Sequence, residues 1–160
     1  MGSEELLKGG EVAASGSGLD IDGLPTATKI LLGAAVLLLI DSLALPWQSP
    51  RISMWGGSAS WAGILTGTLA IALVAWEGIR LTGSHPHTAG QTAEQTARQA
   101  ARIGVALGLG IVVVGALKFL LVVIDGPALG AFVGIVLILA IGYGAWMRAQ
   151  EPAPPSSTVS

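Results

Sequence analysis

The chain has 160 residues, 52% of them hydrophobic and 11% charged, with a net charge of −2, a mean hydropathy of +0.71 and no cysteine. A soluble domain carries about 25% charged residues, so an ordinary globular domain is excluded, and with no basic run there is no footing for nucleic acid. The lack of cysteine removes disulfides, thiol catalysis and Cys-ligated zinc or iron–sulfur sites.

Residues 1–24 are rich in Gly, Ser and acidic side chains and hold too little apolar surface to bury a core, which predicts a flexible tail. Pro25, Thr26 and Thr28 supply helix-start chemistry for a first membrane span at about 27–45. Pro46 stops that helix and Trp47 suits an interface. Ser42-Leu43-Ala44 has the small-x-small form of a signal-peptide cleavage site, but the apolar run begins only at Ile30 and Asp41 interrupts its end, so a retained span is the better reading.

The loop that follows contains Arg51, Met54, Trp55 and a Gly-Gly pair, and its Met and Trp are expected to lie against the membrane surface. A second span is expected at 60–81, capped by Ser58 or Ser60, with Trp61 and Trp76 marking its interfaces and Glu77 and Arg80 reaching water. His85-Pro86-His87 offers too few ligands for a metal site. Residues 92–102 are rich in Ala and Gln, with Glu94, Arg98 and Arg102 at four-residue spacing, which predicts a polar helical extension of the third span.

That third span, 103–124, is the most apolar segment and carries one charge, Lys118. Its 22 residues make a helix of about 33 Å, enough to cross the hydrocarbon core. Gly104, Gly108, Gly110 and Gly115 fall within about 80° of Lys118 on a helical wheel, so the lysine shares the small face and is expected to point at protein rather than to snorkel. Asp125-Gly126-Pro127 reads as a tight turn, with Pro127 opening a fourth span at 128–147. Residues 149–160 are rich in Pro and Ser and read as a disordered tail.

The fold expected for 25–148 is therefore all-α, an integral membrane four-helix bundle in up-down-up-down order. Lys8, Lys29, Arg80, Arg98, Arg102 and Arg148 fall on the side of the tails and middle loop, and only Arg51 on the other. The positive-inside rule then places both termini in the cytoplasm and the protein in the cell membrane as a multi-pass protein. In this arrangement Asp41 and Lys118 lie at matched depth in the outer leaflet, which predicts an intramembrane ion pair, made directly or through one water, with Asp125 and Arg51 as candidate rim partners. A proton or ion relay is the functional alternative for the same two charges. Gly63/Gly67, Gly104/Gly108 and Gly130/Gly134 have the GxxxG spacing of close helix contacts, and oligomerisation, with like or unlike chains, could use these glycine faces.

The LPTATK opening, DSLALPW, SASWAGIL, ALKFLLVVIDGP and the GAFVGIV and GYGAWM pieces of the last span occur in order between Leu24 and Met147. In this the chain resembles small four-span membrane proteins common in actinobacteria, a family without an assigned activity. The resemblance implies fold and membrane location, and transfers no catalytic residue.

No cofactor, metal or catalytic constellation is implied by the residues, and the lipid bilayer is the one partner they imply. The expected function is that of a non-enzymatic accessory, assembly or envelope-associated membrane subunit. The alternative is a small transporter or channel using Asp41 and Lys118.

Overall fold

The computed structural model describes residues 23–49, 51–57, 59–82 and 93–151. Expectations placed on 1–22, on Ser58, on the His85–His87 stretch, on Thr92 and on the tail beyond Glu151 lie outside these residues. Four helices form: α1 (Thr26–Ala44), α2 (Ser60–Leu81), α3 (Ala93–Asp125) and α4 (Leu129–Gln150). Each holds a stretch long and apolar enough to cross a bilayer, that of α3 beginning at Arg98. At 33 residues α3 is about 50 Å long, so its polar first turns run into its apolar span without a break.

The helix ends follow local chemistry. Pro25 precedes α1, and its carbonyl accepts the Lys29 amide at 3.1 Å. Pro46, with no amide hydrogen and a ring that disfavours helix at Leu45, ends it; the Leu45 amide closes on the Asp41 carbonyl at 3.0 Å. The side-chain cap expected for α2 is not made by Ser60, which is the helix's first residue. Ala59 is the cap, in the left-handed region at φ 52°, and makes no side-chain cap bond. The fourth helix starts two residues later than Pro127. Ala128 donates to the Trp47 carbonyl at 3.0 Å and Pro127 pairs with Gln48, so this piece of chain is held extended against the α1–α2 loop.

The helices pack in a ring in which α1 and α3 each contact α2 and α4. This sets α1 and α3 across the ring from each other. Leu31, Leu38, Leu73, Ile111, Ile138 and Ile141 fill the centre, each at most 1% exposed. The outside is as apolar as the inside, with Leu43 75% and Ile124 80% exposed. A surface of this kind suits hydrocarbon and would aggregate in water.

Candidate functional site

Polar side chains enter the bundle at two levels, one near each end. At the first, the α1–α2 loop folds down into the helices instead of lying on top of them. Met54 is fully buried, which corrects the expectation that it lies against the surface, while Trp55 is half-buried; Trp47, expected at an interface, is fully buried as well. The last turn of α1 draws both indoles in. Trp47 Nε1 donates to Asp41 Oδ2 at 2.9 Å, and Trp55 Nε1 donates to Ser42 Oγ at 3.3 Å. The rings then lie where α4 and α2 lack side chains. A Cβ on Gly134 would overlap Trp47, and one on Gly67 would overlap Trp55. The other glycine of each pair meets loop backbone: a Cβ on Gly130 would stand 2.6 Å from the Pro46 carbonyl oxygen, and one on Gly63 would overlap the Met54 carbonyl oxygen.

Two of the GxxxG spacings are thus sockets for the chain's own loop. Close approach of backbone to these positions is the reason only glycine fits. The third spacing, Gly104/Gly108, is also filled from within, by Glu77 and Arg148 at Gly104 and by Ala145 at Gly108.

The third helix contributes Lys118. It points inward and is fully buried, its stem runs past Gly63, and Nζ donates to the Gly56 carbonyl oxygen at 3.0 Å. Asp41 and Lys118 do not meet directly. Asp41 accepts from Trp47 through one oxygen, and the other, Oδ1, is buried without a hydrogen-bond partner. The reason is the ring: matched depth does not join residues on α1 and α3, which face each other across the loop that fills the space between them. Asp125 and Arg51 are exposed at the same end, and neither is ion-paired to Asp41 or Lys118. Every helix nevertheless holds the loop, through Asp41 and Ser42 on α1, Gly63 and Gly67 on α2, Lys118 on α3 and Gly130 and Gly134 on α4.

A hydrogen bond to a charged group contributes about 1.5–3 kcal/mol and one between neutral groups about 0.5–1.5 kcal/mol. Trp47→Phe, which leaves Asp41 without its donor, should therefore lower unfolding stability more than Trp55→Phe, which leaves only the Ser42 hydroxyl. Denaturation of the detergent-purified variants followed by circular dichroism checks the order, and equal losses would remove the carboxylate from the account.

The second level lies near the other end. Glu77, expected to reach water, is fully buried and forms an ion pair with Arg148, itself only 4% exposed. Arg80 Nε stands 3.3 Å from Glu77 Oε2, and its Nη2 donates to Thr28 Oγ1 on α1 at 3.3 Å. Both arginines sit in the last turn of their helices, where the helix dipole favours a cation. Gly104 on α3 makes the room: a Cβ there would lie 2.7 Å from Glu77 Oε1 and 3.1 Å from Arg148 Nη1. The sequence does bear a trace of this cluster, in Arg80 three residues after Glu77 and Arg148 in the matching last turn of α4.

Between the two levels the buried face of α1 is apolar. From Thr28 to Asp41 along α1 is about 20 Å, and the buried residues of α1 between them are Leu31, Ala34, Ala35 and Leu38. Thr66, also buried, returns its hydroxyl to the Ala62 carbonyl of its own helix at 2.8 Å. Among the described residues no three His, Cys, Asp or Glu side chains cluster to hold a metal. Compared with known protein families, with curated proteins and with solved structures, the chain matches none.

Proposed function

We propose that this is a multi-pass protein of the cell membrane, with four antiparallel spans and both termini in the cytoplasm, and that it serves as a non-enzymatic accessory or assembly subunit. Four long apolar helices with an apolar exterior support insertion. The up-down order is supported by Thr28 near the start of α1 meeting Arg80 near the end of α2, and by Pro46 just past α1 meeting Gly130 near the start of α4. The observation that carries the accessory role is that the buried polar groups bond within their own level while an apolar layer separates the two levels. Such groups fasten a scaffold and make a poor pathway.

The absence of cysteine makes orientation easy to measure. With Ser49→Cys and Arg98→Cys introduced singly at exposed positions, an impermeant maleimide should label the first in intact cells and the second only after permeabilisation. The reverse pattern would overturn the orientation. Role is tested by purification from native membranes: a stoichiometric partner protein is expected, and a chain that runs alone would contradict the accessory role.

A transporter is the second reading, favoured by one observation, the buried and unpartnered Asp41 Oδ1. A carboxylate oxygen held away from donors is a place where a proton or cation could stop.

A further inference from the structure

At the loop end of α1 a groove of about 440 Å³ opens to the outside, lined by Leu43, Ala44, Leu45, Pro46, Arg51 and Ser53. One wall is built from apolar residue types, Leu43 to Pro46, of which Leu43 is 75% exposed on the outer side of α1. The rim carries a guanidinium and a hydroxyl. Arg51 is exposed and forms no ion pair among the described residues. It also sits at φ 60°, in the left-handed region, inside the tight turn closed by the Ile52 amide on the Gln48 carbonyl at 2.9 Å. Glycine would adopt that conformation without strain. A long charged residue in that conformation directs attention to what its side chain does.

We propose that this groove binds a phospholipid with an anionic headgroup, Arg51 taking the phosphate with Ser53 beside it and the Leu43–Pro46 wall taking the upper part of an acyl chain. Charge complementarity selects the headgroup: a guanidinium fork matches phosphate oxygens bidentately and is only weakly hydrated. Continuity of the wall with the lipid-facing side of α1 selects an amphiphile, because a soluble phosphate would leave the apolar wall unused. The proposal rests on the membrane reading above.

Native mass spectrometry of the full-length protein titrated with phosphatidylglycerol or phosphatidylcholine tests it. The wild type should retain one phosphatidylglycerol that Arg51→Gln binds about tenfold more weakly, and Arg51→Lys should recover part of the loss. Arg51→Gly should lose the lipid equally while unfolding no more easily, which separates binding from folding. Ala44→Trp should lose it too, by filling the groove with the charge unchanged. Retention of the lipid by Arg51→Gln would overturn the proposal, as would retention by Ala44→Trp, since the charge would then act without the groove. Displacement by millimolar inorganic phosphate would identify a site for soluble anions instead, and an Arg51-dependent dimer in place of the lipid would identify a contact between copies. Vesicle flotation of the wild type keeps the two readings apart: a chain that floats with no vesicle contradicts membrane insertion, whereas one that floats and shows no Arg51-dependent lipid contradicts only the groove.

Discussion

Glu77→Ala should destabilise the protein by about 3–5 kcal/mol, the range for removing one partner of a buried ion pair. Arg148 is 4% exposed, its Nη2 already lacks a hydrogen-bond partner, and the substitution would take away its counter-charge. Arginine cannot escape by losing its proton, so the cost falls on the fold. Arg80 loses the same carboxylate but is partly exposed and can turn to water. The double variant Glu77→Leu/Arg148→Met should be far milder than Glu77→Ala, because no orphan charge remains buried. Unfolding of detergent-purified protein by added sodium dodecyl sulfate gives both values. A double variant as unstable as the single would mean that the pair matters for its shape and not its charge.

The second large effect is expected at the loop sockets. Gly134→Ala and Gly63→Ala place a methyl inside the space of the Trp47 ring and of the Met54 carbonyl, so ring or backbone must move. Overpacking of this sort costs about 1–3 kcal/mol, and Gly63→Ala should fall at or above the top of that range because backbone yields less than a ring. The contrast is Gly33→Ala and Gly78→Ala, where an added Cβ meets nothing within 4 Å. These should be neutral or stabilising by up to about 1 kcal/mol, the helix-propensity gain of alanine over glycine. Thermal unfolding of the four variants decides the matter. Equal effects at all four positions would show that the loop does not occupy the sockets.

The four apolar helices were legible from hydropathy and length, because a run such as Ile103–Ile124 admits few other structures. The fate of the charges was not. Depth along a helix can be counted from Pro46 and Asp125, but which helices are neighbours cannot, and Asp41 and Lys118 lie on helices across the ring. The GxxxG pairs announced close approach without naming what approaches, here two indoles and two loop carbonyls. Glu77 looked like an interfacial residue because it stands near a helix end, and its main partner, Arg148, is 71 residues away. That pairing depends on Gly104 leaving room on a third helix, a three-body relation that no local pattern contains.

Charges that fasten the bundle, as proposed, should not conduct. Proton and cation flux across vesicles reconstituted with the purified protein measures that most directly. The leak should equal that of protein-free vesicles and be unchanged by Asp41→Asn or Lys118→Met. A flux well above that background, abolished by either substitution in protein that remains folded, would contradict it and establish the transport reading.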